Sequence, residues 1–322
     1  MIVSTELTLP CSSYTKMTDA TIATAQQDYL QELLQNELLL PTGVAGVYGK
    51  SAVFEGVLRA VDQAVSDAGR DQRAEALWFP PVINGQLLER TDYLKAFPHL
   101  AGTVNSFFGD EHAHSALLKK VDEQDDWAAT FKPAGLALAP AACYPVYPAA
   151  SGTMPDGGRT FEVQSYCFRH EPSDDPARMQ IFRMHEYVRL GTPTQVQSFR
   201  DLWLERGQQL LNAMGLDAKA VVANDPFFGR AGRMLARTQQ EQSLKFELVV
   251  AITSEERPTA VVSCNYHQDH FGLSFEIFTH DGERAHSACV GFGLERITLA
   301  LLKTHGFQPE RWPSEVRQTL KL

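Results

Sequence analysis

The chain has no run of about 18 apolar residues and no N-terminal stretch with the pattern of a cleavable secretory signal. Neither a membrane span nor export is therefore expected, and the cytoplasm is the expected compartment. Positive charge is in short supply: 29 Lys and Arg against 39 Asp and Glu leave a formal net charge of −10. That is the wrong sign for a protein that lives on phosphate backbones. Cysteine is scarce and scattered, with Cys11, Cys143, Cys167, Cys264 and Cys289 forming no Cys-x-x-Cys pair, so neither a disulfide framework nor a zinc ribbon is indicated. Internal repeats and low-complexity tracts are absent as well. What is present is 322 residues at 44% hydrophobic content, enough to bury a full core as one large domain or two modest ones.

Apolar periodicity predicts a helix over Asp19–Leu40, through Ile22, Leu30, Leu33, Leu34 and Leu38, stopping at Pro41-Thr42-Gly43. A second helix is predicted over Val53–Ala68, a strand over Glu75–Ile83, and a short helix over Tyr93–Leu100. The prolines of Trp127–Ala150 predict short strands and loops. From Phe161 to Gly191 alternation predicts a long hairpin around the polar loop Glu171–Pro176. Gln195–Met214 has an apolar helical face, Phe246–Thr253, Thr259–Cys264 and Ser274–Thr279 are strand-like, and Glu295–Thr304 is a terminal helix. Strands joined by hairpins and long insertions favour an antiparallel sheet with helices packed on it.

Two segments carry chemistry. Phe168-Arg169-His170-Glu171 precedes the polar loop, and Arg178 and Arg183-Met184-His185-Glu186-Tyr187 follow it. Arginines facing each other across a hairpin can clamp a triphosphate, because the guanidinium fork matches phosphate oxygens. A carboxylate beside the first arginine can hold an amino group or the edge of a base. Taken alone, the same residues also fit a solvated hairpin. The second segment is Gly291-Phe292-Gly293-Leu294-Glu295-Arg296. Its glycines let a base approach the backbone, and an arginine on the first helical turn can stack on that base and reach its phosphates. Alone, it is equally a helix N-terminus with loop glycines.

In this order and at this separation the two segments resemble the second and third signature motifs of class II aminoacyl-tRNA synthetases. Cys167–Tyr187 and the later Ser263-Cys264-Asn265 are similar to seryl-tRNA synthetase in particular. Val53–Pro81 would then be the first motif, which in that family supplies a dimer interface, so a homodimer is implied. The resemblance covers roughly residues 50–305 and implies an α+β fold, an antiparallel β-sheet flanked by helices. It implies that Arg169 and Glu171 contact ATP, that Arg178 with Met179 lines its phosphate and base side, that Tyr187 stacks on adenine, and that Arg296 closes the opposite side. Lys245 stands where the family has a lysine near the nucleotide, with Glu247 as a carboxylate for Mg2+; on its own, Lys245-Phe246-Glu247 is an ordinary edge strand. Ala260 replaces the family's magnesium acid, which leaves Ala260-Val261-Val262 as a wall for a small amino acid.

The departures from the seryl pattern imply a metal. Glu186 replaces a glutamine, and Ala141-Ala142-Cys143 replaces the Thr-x-Glu serine loop. With Cys289, the set Cys143, Glu186 and Cys289 resembles the zinc site of the unusual seryl enzymes of methanogens, implying Zn2+ open to the amino group of a substrate. Apart from the resemblance, Cys143 and Cys289 read as buried core thiols. Cys167 and Cys264 read as packing residues, and His170, His185, His267 and His270 as hydrogen-bonded rather than ligating.

A seryl-tRNA synthetase recognises tRNA through a long helical arm ahead of its core. Here residues 1–45 read as an N-terminal segment with one helix and no such arm, and 46–322 as the catalytic domain with an inserted helical segment at about 195–237. That organisation resembles the amino acid:[carrier protein] ligases, truncated seryl-synthetase homologues that pass a small amino acid to the phosphopantetheine thiol of an acyl carrier protein. Gln195–Gly215 with Arg230, Arg233 and Arg237 takes the place of that family's docking helix, and basic residues there suit acidic carrier helices. A plain amphipathic surface helix is the alternative. The implied substrates are ATP with Mg2+ and glycine or alanine, and the acidic charge argues against tRNA. Two other readings stand beside this one: a tRNA-charging or editing paralogue with a separate recognition subunit, and a non-catalytic sensor of amino acids or nucleotides.

Overall fold

The structure is a computed structural model and describes residues 18–225, 227–229, 237, 239–240 and 242–322. Helix α1 (Asp19–Gln35) starts where the Thr18 side chain accepts from the Thr21 N–H. It ends earlier than its apolar period predicts, because Glu37 turns left-handed at φ 54° and sends Leu38 and Leu39 side by side into the core. Leu39 instead opens a hairpin of β1 (Leu39–Val44) and β2 (Val47–Lys50). The predicted division at residue 45 lies in the turn of that hairpin. Tyr29, Leu30 and Leu33 of α1 join the main core, where Tyr29 Oη donates to the Leu299 carbonyl at 2.7 Å.

Helix α2 (Ala52–Gly69) is capped by Ser51 and buries Phe54, Val57, Leu58, Val61 and Val65 at helical spacing. The predicted strand Glu75–Ile83 breaks at Phe79-Pro80-Pro81, since proline cannot donate to a ladder. The pieces are β3 (Glu75–Trp78) and β4 (Val82–Asn84), which belong to different sheets. Short helices α3 (Gly85–Arg90) and α4 (Tyr93–Ala96) follow, then β5 (Thr103–Ser106), α5 (Glu111–Asp122), β6 (Lys132–Leu138), α6 (Val146–Ala149) and β7 (Gly152–Thr153). The predicted hairpin is β8 (Arg159–Phe168) and β9 (Ile181–Gly191), paired over ten residues from Arg159↔Leu190 to Phe168↔Ile181. After α7 (Pro193–Ala213) come β10 (Lys219–Val222), β11 (Lys245–Val250), β12 (Thr259–Gln268), α8 (His270–Phe275), β13 (Ile277–Phe278), β14 (His286–Gly293), α9 (Leu294–His305) and α10 (Ser314–Leu320). The strand predicted at Ser274–Thr279 shrinks to β13: its first two residues end α8, which Glu276 stops at φ 53°.

Seven strands form the main sheet in the order β10-β11-β12-β14-β9-β8-β3, antiparallel throughout except for the parallel edge pair β3 and β8. Its central strand, β14, is not predicted by alternation, because seven of its eight residues are buried and a strand covered on both faces has no polar side to show. Helices α1, α2, α7, α9 and α10 supply the core on one face. The other face carries α6 and α8 over a second cluster and is flanked by the small sheet β4-β6-β5. Helix α7 buries Val196, Phe199, Trp203, Gly207 and Leu211 against the sheet, so its apolar stripe is core rather than a docking face. Arg206 is tied to Asp71 and the Ala68 carbonyl. Of the arginines expected to dock a carrier, Arg230 and Arg233 lie outside the described residues, and Arg237 is exposed.

One buried polar group staples three elements. His185 of β9 is fully buried with Nδ1 2.7 Å from Asp62 of α2 and Nε2 3.0 Å from Glu162 of β8, the latter close for charge attraction though off the axis of a hydrogen bond. Burial opposes its charge, but the two carboxylates prevail and raise its pKa above the usual 6.5. A histidine raised in this way contributes its full stability below the unfolded pKa and loses it as pH climbs through the folded one. Thermal melts are therefore expected to show Tm falling as pH is raised from about 6 to about 9. His185→Gln should lower Tm at the acid end and flatten that slope; an equal slope in the variant would contradict the role.

Candidate active site

Paired residues on neighbouring strands share a face, and successive residues alternate. The registers Lys245↔Asn265, Glu247↔Ser263, Ser263↔Gly291, Asn265↔Cys289 and Gly291↔Glu186 therefore gather one set of side chains over the sheet. With Met184 and Phe182 from β9 they floor a cleft of about 670 Å³. Walls come from Thr91–Leu100, Pro140–Tyr144, the loop through Glu171, and Asp225 and Phe227.

At one end three guanidinium groups meet. Arg169 sits just beyond β8, its Nε donating to the Pro140 carbonyl at 3.2 Å and its charge 5.4 Å over the Phe182 ring. Arg178 is 55% exposed and lies 3.8 Å from both Glu171 and Asp175. Arg296, on the first turn of α9, donates to the Ala177 carbonyl at 2.8 Å and the Ala260 carbonyl at 2.9 Å. Burial, then the charges of Arg169 and Arg178, hold its pKa down to about 10 against the opposing pull of Glu171 and Asp175. Lys245 is 7% exposed and pairs with Asp225 and, at 3.0 Å, with Glu247.

At the other end the ligand atoms of Cys143, Glu186 and Cys289 all lie within 4.8 Å of one another, and all three residues are buried. Cys143 comes from the loop after β6, Glu186 from β9 and Cys289 from β14. The Glu186 carboxylate accepts the Ala142 N–H at 2.9 Å and the Cys143 N–H at 3.2 Å. Burial first, and then Cys289, push its pKa up to about 7. The Cys289 thiol is held well below its usual range by the hydrogen bond from Cys143 and, against burial, by His267 and Asn265. Two sulfurs and a carboxylate converging in a buried pocket form a donor set that could hold a metal ion.

Over 291 residues the chain is 44% identical to amino acid--[acyl-carrier-protein] ligase 1 of Bradyrhizobium diazoefficiens, covering 90% of this chain and 89% of that protein. With ligase 2 of the same organism the identity is 45% over 297 residues, 92% of this chain and 87% of the other. The chain belongs to the amino acid:[carrier protein] ligase family. A more distant relative is the type-2 serine--tRNA ligase of Methanopyrus kandleri, 29% identical over 200 residues, 58% of this chain and 38% of that enzyme. Among solved structures, the M. kandleri SerRS in complex with A. aeolicus tRNASec superposes with a TM-score of 0.77 at 20% identity. The match covers 91% of this chain and 60% of that one. The cytoplasmic serine-tRNA ligase of Naegleria fowleri gives 0.67 at 13% identity, with 92% and 59% covered. These likenesses identify the class II synthetase fold, and this ligase spans less than two thirds of either chain. No protein-family model matches it.

In this ligase the cleft brings together Arg169, Glu171, Met179, Glu186, Lys245, Ala260 and Arg296, with Arg178 on the Glu171 side. Tyr187 is a correction. It follows Glu186 in β9 and so points through the sheet, where it is fully buried and stacks on Trp203 at 4.5 Å between ring centroids. Phe182, at even spacing from Glu186, is the aromatic ring of β9 on the cleft side. Arg183 likewise faces away, paired with Glu55 at 2.6 Å and Glu295 at 3.0 Å. Val261 and Val262 edge the cleft but belong to the core beneath the sheet, so Ser263, Gly291 and Met184 complete the floor instead. Asn265, His267 and Asp225, given no site role in the sequence, also line it; counting by two from Ser263 along β12 finds the first two.

Tyr187 gives a direct test. Tyr187→Ala is expected to destabilise the fold by about 3–5 kcal/mol, the usual cost of deleting a buried aromatic ring. Tyr187→Phe should leave the KM for ATP unchanged, whereas Phe182→Ala should raise it several-fold; the reverse pattern would restore Tyr187 to the nucleotide.

Proposed function

We propose that this ligase activates a small amino acid, glycine or alanine, with ATP and Mg2+ as an aminoacyl-adenylate and then passes it to the phosphopantetheine thiol of an acyl carrier protein. The observation that carries the reading is a single cleft with convergent arginines at one end and the Cys143, Glu186 and Cys289 cluster at the other. The family relatives bear the matching name. The amino-acid carboxylate attacks the α-phosphorus, the adenylate forms and pyrophosphate leaves. No protein nucleophile is needed, so the residues act by positioning and charge neutralisation. Arg169 holds the α-phosphate beside the attacking carboxylate, Arg178 and Arg296 hold the outgoing phosphates, and Phe182 stacks on the base. Lys245 neutralises charge beside Glu247, a candidate carboxylate for Mg2+.

Cys143, Glu186 and Cys289 would hold the zinc, which when bound supplies a coordination site for a free amino group. Glu186 also borders the substrate, and Met184, Gly291 and Ser263 leave room for a small side chain only. A Cβ on Gly291 would come within 2.7 Å of Met184 Cε. A homodimer fits edge strand β3, where Trp78 is 74% exposed. No helix among the described residues is long and apolar enough to cross a membrane.

Amino-acid-dependent ATP–pyrophosphate exchange tests the first step. It is expected with glycine or alanine, and its absence with every proteinogenic amino acid would sink the reading. A mass spectrum of holo carrier protein after incubation with enzyme, ATP and the amino acid tests the second. A shift on the pantetheine arm is expected; transfer to tRNA in its place would favour a tRNA-charging paralogue.

A further inference from the structure

Tyr147 of α6 is fully buried, its ring stacked on Phe271 at 3.8 Å between centroids. Its hydroxyl makes no hydrogen bond, whether to nitrogen, oxygen or sulfur. An unpaired buried hydroxyl is costly, so a partner gained when the neighbouring site is filled is indicated. Tyr147 packs in one buried cluster with Cys143 and Cys289, and its ring stands edge-on to that of His267 at 6.3 Å between centroids. Across the cluster, His267 Nε2 lies 3.7 Å and Asn265 Nδ2 3.5 Å from Cys289 Sγ. His267 is itself held in place, with Nδ1 3.1 Å from the hydroxyl of fully buried Ser287 and its ring edge-on to Phe271 at 4.9 Å.

Charge arithmetic gives these contacts a purpose. Two thiolates and a carboxylate carry three negative charges against two positive ones on a zinc ion, leaving a net negative charge in a buried site. Donors aimed at the sulfurs offset that excess and fix the direction of the sulfur lone pairs.

We infer that Tyr147 and His267 are positioning residues for the metal-binding sulfurs: His267 Nε2–H donates to Cys289 Sγ, and the unpaired Tyr147 O–H turns to donate to Cys143 Sγ when the site is filled. With Ser287 donating to Nδ1, the proton of His267 is placed on Nε2. Each sulfur thus has its own donor from a different element, and Phe271 braces both donors at once. The inference rests on the zinc reading proposed above and concerns this chain's own residues toward that ion.

The test uses the full-length protein stripped of metal and reloaded with Zn2+ or Co2+. Tyr147→Phe keeps the stacked ring and removes only the hydroxyl, so folding is preserved and a melt will confirm it. Tyr147→Phe and His267→Ala are each expected to weaken zinc binding about 10–100-fold in competition with a chromophoric chelator. Each should also shift the sulfur-to-cobalt charge-transfer band. His267→Gln, which keeps an N–H at similar reach, should recover most of the loss. Tyr93→Phe, removing an unpaired buried phenol that borders Arg169 rather than Cys143 or Cys289, should change neither readout. Wild-type zinc affinity and unshifted cobalt bands in both Tyr147→Phe and His267→Ala would overturn the inference while leaving the zinc site standing. A wild-type protein that binds neither ion would overturn the zinc reading itself, and the inference with it.

Discussion

Arg296→Ala is expected to lower amino-acid-dependent ATP–pyrophosphate exchange by roughly 10²–10³-fold, the usual loss when one preorganised donor to developing charge is removed. Arg296 is fixed from two sides by the carbonyls of Ala177 and Ala260, so it does not have to be ordered when ATP arrives. Its pKa of about 10 records first the cost of burying it and then the nearness of Arg169 and Arg178, which Glu171 and Asp175 only partly offset. A polyphosphate entering there relieves that repulsion, and the gain is largest as pyrophosphate charge develops. Arg296→Lys is not expected to rescue, because a single ammonium cannot keep both carbonyl contacts and still present a fork to phosphate. Zinc content should stay unchanged, since the Cys143, Glu186 and Cys289 cluster lies at the other end of the cleft. Exchange within about twofold of wild type in Arg296→Ala would remove the arginine from the nucleotide site.

How much of this was legible in the sequence depends on which faces of an element meet water. Strand β8 and helices α2 and α7 each keep a polar side, so their periods of two or 3.6 survive in the residue pattern. Strand β14 has no polar side and was read as a glycine-rich approach to a helix, although its register with β9 and β12 places both Cys289 and Gly291. Tyr187 was misassigned for the opposite reason. Glu186 and Tyr187 were read as one motif, whereas the alternation already evident in β9 puts neighbours on opposite faces. The same rule separates Arg183 from Met184. The candidate metal-binding cluster could not be derived from spacing: Cys143 and Cys289 are 289 − 143 = 146 positions apart, and with Glu186 they meet only because β9 pairs with β14 and the loop after β6 drops over both. It entered through a resemblance, and geometry then brought the three side chains together. Helix α7 shows the reverse limit. Its amphipathic pattern was legible, but whether the apolar stripe meets a partner or the protein's own sheet is a tertiary fact, and here Trp203 and Leu211 meet the sheet.

Removal of the ligands proposed for zinc is expected to separate the two ends of the cleft. Cys143→Ala, Glu186→Ala and Cys289→Ala should each lose bound zinc and lower glycine- or alanine-dependent exchange by on the order of 10²-fold or more, while binding of ATP alone persists because the arginines are untouched. The proton balance adds a sharper signature. In the metal-free protein Glu186 holds its proton up to about pH 7, because burial and Cys289 disfavour its charge. A metal ligand must be deprotonated, so zinc binding at about pH 6 expels that proton and binding at about pH 8 finds it already gone. Calorimetry in buffers of different ionisation enthalpy should therefore count more protons released at the lower pH. In Glu186→Gln, any residual zinc uptake should lose this part of the difference, leaving only what the two thiols contribute. Equal proton release at both values in the wild type would place Glu186 outside the coordination sphere, and undiminished zinc in all three alanine variants would remove the site altogether.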